Sequence, residues 1–214
     1  PIKLLNPIAS QMSVMRSSLI GSLLNVVSFN LDRKASRVRV FEVGRVFLRD
    51  AAVPASDTTV QGFDQPMRVA GMAYGPPNVL QWGRTDAVTD FYDVKGDVEA
   101  LLAPRRPVFE AAEHPAMHPG RCARVLIDGK AIGYIGELHP RWRQDYELPQ
   151  TPVLFELDWD VVSQRPQPAF IPVSKFQAAE RDVAVIVKDS VRHDDLMTAI
   201  TRAVPQALLQ DATV

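Results

Sequence analysis

The chain has 214 residues, of which 46% are hydrophobic and 23% charged, with 24 Lys plus Arg against 25 Asp plus Glu. Those proportions are ordinary for globular domains and exclude a disordered, fibrous or strongly basic nucleic-acid-binding chain, while leaving room for a local basic patch. No apolar run reaches the length of a membrane span, so no membrane association is expected. The single Cys122 forbids an internal disulfide and fits a reducing, cytoplasmic setting.

Pro1 to Asn6 reads as an opening strand or arm. Ser17 to Leu31 has helical spacing, with Met15, Leu19, Leu23, Val26, Val27 and Phe29 on one stripe and Ile20 and Leu24 beside it. Ser17 or Ser18 is the expected N-cap, and Gly21 suggests a surface approaching the backbone. Arg33, Lys34, Arg37 and Arg39 form a basic link that reads more simply as a solvated connection than as a phosphate contact. Val38 to Leu48 predicts a strand, apolar on both faces and therefore central in its sheet.

Asp50 to Gln65 has loop composition, Met67 to Tyr74 predicts a strand, and Asp90 to Leu102 a helix with a Lys95–Glu99 pair on its solvated side. Arg105 to Ala112 is a weaker strand. Cys122 to Ile127 and Ala131 to Glu137 form a hairpin around Asp128-Gly129, a pair that supplies the positive φ values of a tight turn. Leu138 to Tyr146 predicts a short helix and Val153 to Trp159 a further strand. The series predicts an α+β fold, with an antiparallel or mixed sheet carrying helices on one side.

Gln164 to Pro172, with Pro166, Pro168 and Pro172, reads as an extended linker. Arg181 to Lys188 predicts a strand and Arg192 to Val204 a helix, favoured at its start by Asp194 or Asp195. One strand and one helix do not bury a core, so 173–214 reads as the opening half of a second domain. The first residue is Pro1 rather than Met, and Val214 falls inside an apolar pattern, so a piece of a longer polypeptide is expected.

Two constellations invite chemistry. His114, His118, Cys122 and His139 are a conceivable zinc set, and Cys122 beside a histidine a conceivable thiol nucleophile; either would make a metal- or thiol-dependent hydrolase. Against the first, Pro115 and Pro119 keep the preceding histidines from helical angles, and the ordinary alternative is a proline-shaped loop. Against the second, Cys122 opens a strand, where a small buried side chain is usual. Phosphate-cradling glycine motifs are absent: IGYIGE, with Gly133 and Gly136, is followed by no basic residue.

The blocks LNPIASQMSVMRSSLIGSLLNVVSFNLDR, VRVFEVGRVF, DFYDVKGDVEALL, HPGRCA, IGYIGELHP and VLFELDWDVV together resemble the β subunit of bacterial phenylalanyl-tRNA synthetase. The resemblance covers residues 1 to about 163, and SKFQAAERDVAVIVKDSV resembles the start of that subunit's ferredoxin-like anticodon-binding domain. It implies a non-catalytic module of degenerate class II synthetase fold at 1–163, a linker at 164–172 and the first part of the ferredoxin-like domain at 173–214. Arg45 stands where the family's motif 2 arginine meets ATP, but PVLFELDWDVV carries neither the glycines nor the arginine of motif 3, which implies that this piece alone is catalytically inactive. No catalytic, cofactor or metal residue is assigned here, and ATP and magnesium belong to the whole enzyme. The implied partners are an α subunit, in an (αβ)2 heterotetramer, and tRNA. The helix resembles the motif 1 element of class II interfaces, which makes Leu19, Leu23, Leu24 and Val27 candidate partner contacts; Lys175, Arg181 and Arg192 are candidate tRNA contacts.

Overall fold

The computed structural model describes residues 2–83, 87–167, 170, 175–205 and 208–214, without the side chain of Gln11. They divide into two compact units, Pro1–Gln167 and Pro168–Val214. Among the described residues no helix is long and apolar enough to cross a membrane.

The first unit begins with β1 (Ile2–Lys3) paired to β2 (Val14–Met15), then α1 (Ile20–Asp32) and β3 (Val38–Arg45). A small hairpin of β4 (Leu48–Arg49) and β5 (Phe63–Asp64) brackets the loop. There follow β6 (Met67–Tyr74), α2 (Phe91–Leu102), β7 (Val108–Ala111), β8 (Met117–Ile127) and β9 (Lys130–Leu138). The unit closes with α3 (Pro140–Asp145), β10 (Val153–Asp158) and α4 (Trp159–Val162). Six strands form one antiparallel sheet in the order β3-β6-β10-β9-β8-β7.

Helices cover both faces of this sheet, not one. Alternate residues of β6 and β10 point to opposite sides. Ala70, Met72, Tyr74 and Leu154 join Leu19, Leu23, Leu24 and Val27 of the α1 region, whereas Val69, Ala73, Phe155 and Leu157 join Val94, Val98 and Leu102 of α2. The two middle strands are apolar on both sides and need cover on both.

The expected central strand is instead an edge. β3 pairs only with β6, and Phe41 is 76% exposed. Its Val38 and Val40 meet the α1 core while Phe41 and Val43 stay exposed, so two-faced apolarity did not mean two-sided cover. The predicted hairpin forms around Asp128 (φ 51°) and Gly129 (φ 75°), and its strands are longer than expected. They take in His118 and Pro119, where β8 shifts register between Met117 and Cys122. Gly133 (φ 152°) lets β9 approach β10, since a Cβ there would lie 2.1 Å from the Glu156 carbonyl oxygen.

Capping follows local chemistry. The Asp90 carboxylate accepts from the Tyr92 and Asp93 N–H groups, and Asp93 accepts from Asp90 N–H. The Ser18 hydroxyl accepts from Ile20 N–H at 3.1 Å as expected of a cap, although the N-cap position itself is Leu19.

In the second unit, α5 (His193–Ala203) matches the predicted helix, and Asp195 accepts from Arg192 N–H at its start. The strand predicted for Arg181 to Lys188 does not form. No strand among the described residues pairs with it, and Val183 and Ile186 are fully or largely exposed. An isolated extended segment has nothing to satisfy its backbone or cover its apolar face. The predicted linker at 164–172 lies partly outside the described residues.

Candidate functional site

The α1 side of the sheet is divided. Its apolar half lies under α1; its other half carries a row of polar side chains in register across the strands. Glu42 of β3 stands opposite Ala70 of β6, which faces Glu156 of β10, then Tyr134 of β9, Arg124 of β8 and Glu110 of β7. One rung further, Arg68 lies between Gly44 and Asp158.

The charged side chains of this row are answered from within the chain. Arg16, just ahead of α1, places Nη1 2.5 Å from Glu42 Oε1 and donates its Nε–H to the Arg45 carbonyl at 2.9 Å. It lies over Gly44, where a Cβ would collide with the guanidinium. Glu156 Oε1 accepts from Leu19 N–H at 2.6 Å and from the Ser18 hydroxyl at 3.1 Å. A carboxylate from the middle of the sheet thus sits at the N-terminus of α1, where free N–H groups and the helix dipole favour negative charge. Arg68 pairs with Asp158 at 3.7 Å and Arg124 with Glu110 at 2.8 Å.

Arg45, the residue resembling a motif 2 arginine, donates from Nη1 to the Gln65 carbonyl at 2.9 Å. The stretch VLFELDWDVV forms β10 and α4, whose polar groups are Glu156, Asp158, Asp160 and the Trp159 ring, without a cation. These residues do not fit a nucleoside triphosphate: the phosphates would meet carboxylates and arginines already engaged.

The histidines and the cysteine do not assemble a metal or nucleophile centre. Among the described residues no group of three or more His, Cys, Asp or Glu is placed to hold a metal ion. His114, His118 and His139 each accept a backbone N–H at Nδ1, as the proline-shaped alternative required. Cys122 is buried against Met117, Sγ to Sδ 3.5 Å, and burial pushes its thiol up to about 11. A neutral buried thiol is no nucleophile at neutral pH, so the hydrolase reading falls. His114 is held below the ordinary imidazole range by burial, with the nearby Glu156 charge opposing that shift.

Leu19, Leu23, Leu24 and Val27, expected at a partner interface, are all buried in the chain's own core, at most 3% exposed. They hold α1 to the sheet. The outward face of α1 carries Gly21, Asn25, Val26, Phe29 and Asp32 instead, with the Arg33 guanidinium 3.3 Å from the Phe29 ring centroid. A Cβ at Gly21 would meet only open space. Lys175, Arg181 and Arg192 are exposed on the second unit; Arg181 donates to the Glu180 carbonyl and Arg192 lies 3.3 Å from Asp194.

Sequence reasoning passed over Arg16, Glu42, Glu110, Tyr134 and Glu156. A signal was present: Glu42 and Glu156 stand inside strand sequences rich in apolar residues, VRVFEVG and VLFELD, and a half-buried carboxylate calls for a hydrogen-bond partner.

A family model described as the phenylalanyl tRNA synthetase beta chain CLM domain matches residues 1–159. The phenylalanine–tRNA ligase beta subunit of Cupriavidus pinatubonensis is 60% identical over 203 residues, covering 95% of this chain and 25% of that protein. The corresponding subunit of Ralstonia nicotianae is 58% identical over 203 residues, with the same shares of 95% and 25%. That of Burkholderia lata is 55% identical over 206 residues, covering 96% and 26%. The chain therefore spans about a quarter of the length of the curated relatives it matches. With its antiparallel sheet, the helix tethered across it and a family match over residues 1–159, the chain belongs to the phenylalanyl-tRNA synthetase beta chain family.

Proposed function

We propose that this chain is the scaffold module of a cytoplasmic phenylalanine–tRNA ligase β subunit, making no aminoacyl adenylate itself and holding an α subunit that does. The observation that carries this reading is the internally paired polar row: Arg16–Glu42, Glu156 with the start of α1 and Arg68–Asp158 tie these side chains to one another and to the fold. Adenylation spreads negative charge over phosphoryl oxygens and needs cations free to meet it. Here the same sheet spends its cations on holding itself together.

ATP and magnesium are accordingly assigned to the whole enzyme and not to these residues. The α subunit would dock on the outward face of α1, where Val26 and Phe29 present apolar surface beside Gly21. In this reading the chain and its α subunit pair within an (αβ)2 assembly. Residues 1–163 form the class II-like module, 164–172 the linker and 173–214 the start of a ferredoxin-like domain, in which Lys175, Arg181 and Arg192 offer exposed charge to tRNA phosphates.

Light scattering after size exclusion, on the chain alone and mixed with the matching α subunit, tests this directly. A mixed complex weakened by Phe29→Asp, together with no ATP binding by the chain alone, is the expected result. A well-folded chain that ignores the α subunit, or that binds ATP unaided, would overturn the reading.

A further inference from the structure

The two edges of the six-stranded sheet are not alike. β7, at one end, is four residues long and follows Pro107. β3, at the other, runs for eight residues in unbroken register with β6 and contains no proline or bulge. Short length, proline and bulges are common means of closing an edge to other chains, and β3 has none of them.

The backbone groups of successive strand residues point to alternate sides. Val46, in line with β3, donates its N–H to the Pro66 carbonyl next to β6. Phe47 donates instead to the Arg16 carbonyl, and the Arg45 carbonyl accepts from the Arg16 guanidinium. Even-numbered residues of β3 therefore bond to β6, and odd-numbered ones face outward. Arg16 closes the edge at Arg45 and Phe47. Arg39, Phe41 and Val43 keep their N–H and C=O groups directed outward, and among the described residues no further strand pairs with them.

The side chains of these residues share the face that carries α2. Arg39 pairs with Asp97 of α2, and Phe41 lines a groove of about 320 Å³ with Val69, Gly71, Val94, Leu101 and Phe155. α2 packs over β9 and β10 and leaves this strip beside β3 open. Gly71 keeps the floor of the groove flat, since the Phe155 Cε1 lies 2.5 Å from where a Cβ would stand. Phe41 and Val43 are exposed on this side. Charge marks the two ends. Arg37, one residue before β3, donates to the Pro76 and Pro77 carbonyls, and Arg45 to the Gln65 carbonyl. Among the described residues no carboxylate pairs with either. Arg39 and Glu42, between them, are already answered by Asp97 and Arg16. The free edge is apolar in the middle and positive at both ends.

We propose that β3 takes up an extended segment of another protein as a seventh strand. The segment bonds to the backbone of Arg39, Phe41 and Val43, sets apolar side chains beside Phe41 and Val43, and brings a carboxylate at each end to Arg37 and Arg45. In such complexes main-chain pairing supplies affinity and alternate side chains supply selectivity. A second copy of this chain fits less well. In the two-fold register centred on Phe41, each Arg37 would stand opposite Arg45 of the other copy, and like charges directly opposed destabilise a strand pair. The site is separate from the outward face of α1, because α1 and α2 cover opposite faces of the sheet.

The probe is a synthetic peptide of about nine residues, the span from Arg37 to Arg45, with valine and threonine alternating and an aspartate at each end. It is added to the ¹⁵N-labelled 214-residue chain. In the free chain the Arg39, Phe41 and Val43 amides should exchange with water about tenfold or more faster than those of Val40 and Glu42. The peptide should shift the outward amides and slow their exchange about tenfold or more, leaving Val40 and Glu42 as they were. Methylating one of the two alternate sets of peptide nitrogens should abolish binding, and methylating the other should spare it. Lysine in place of both aspartates should weaken binding about fivefold or more, and Arg45→Gln about two- to fivefold. Val43→Pro removes an outward N–H from an edge strand, so it should fold and bind the peptide about fivefold or more weakly; the methylated peptides make the same test without altering the protein. The proposal fails if the outward amides are already protected in the free chain, or if the peptide leaves them unmoved. It fails equally if both methylated peptides or the lysine-ended peptide bind like the parent. Protection of the same amides on concentrating the chain alone would identify a second copy as the occupant and overturn it.

Discussion

Replacing Glu156 with alanine should loosen α1 from the sheet, because one carboxylate oxygen serves both Leu19 N–H at 2.6 Å and the Ser18 hydroxyl at 3.1 Å. Leu19 is fully buried, so water cannot take the place of the lost acceptor. A charge-assisted hydrogen bond to a donor left unsatisfied is worth about 1.5–3 kcal/mol, and the negative charge at the helix start adds about 0.3–1 kcal/mol. The half-buried Ser18 hydroxyl can turn to other acceptors and adds little. Glu156→Ala should therefore cost about 2–4 kcal/mol and Glu156→Gln about half as much, since the amide oxygen can still accept from Leu19. With a urea dependence of about 2 kcal/mol per molar, the alanine variant moves the unfolding midpoint down by about 1–2 M. Tryptophan fluorescence reads this transition in the first unit, which contains Trp82, Trp142 and Trp159. Glu110→Ala is the control: its ion pair with Arg124 is more than 40% exposed on both sides, where solvent screens the attraction and little stability is at stake. If Glu156→Ala and Glu110→Ala shift the midpoint equally, or the glutamine variant is worse than the alanine, the tether argument is refuted.

On α1, Leu23→Ala should cost about 2–5 kcal/mol by opening a cavity against the sheet. Phe29→Ala should cost about 1 kcal/mol or less while reducing α-subunit association, so paired urea and light-scattering measurements separate the inner and outer faces. Burial disfavours the His114 imidazolium, so the unfolded chain takes up a proton more readily than the folded one. Stability should therefore fall as pH drops through about 6.5 and be recovered above it; His114→Asn should flatten that part of the curve, and Glu156→Gln should lower the His114 midpoint in an NMR titration. Cys122, pushed up to about 11 from 9.0, should react with iodoacetamide at pH 8 about 100-fold more slowly than a free thiol, becoming reactive on unfolding; rapid alkylation of the folded chain would contradict its burial.

Much of the fold was legible because it rests on local rules. The Asp128-Gly129 turn, the helix opened by Asp90, the strand Met67–Tyr74 and the helix at His193–Ala203 each depend on residues within about four positions of one another. The family was legible from ordered blocks of sequence. The candidate site was legible only in outline: His114-Pro115 and His118-Pro119 were read as a proline-shaped loop, but nothing local indicated that Arg16 would meet Glu42 or that Glu156 would meet the start of α1, since each pair joins separate elements.

Local patterning carried most of the element list and the α+β class, because side-chain period and turn chemistry act at short range. Tertiary structure alone decided that Val38–Arg45 lies at an edge, since a strand's own alternation says nothing about which neighbours pair with it. It also decided which side of α1 is buried: Val26 and Phe29 shared the apolar stripe with Leu23 and Val27, and the sheet selected between them. The tether from Glu156 to Leu19 joins residues 137 positions apart, and only closure of the sheet brings a carboxylate of β10 to the first N–H groups of α1.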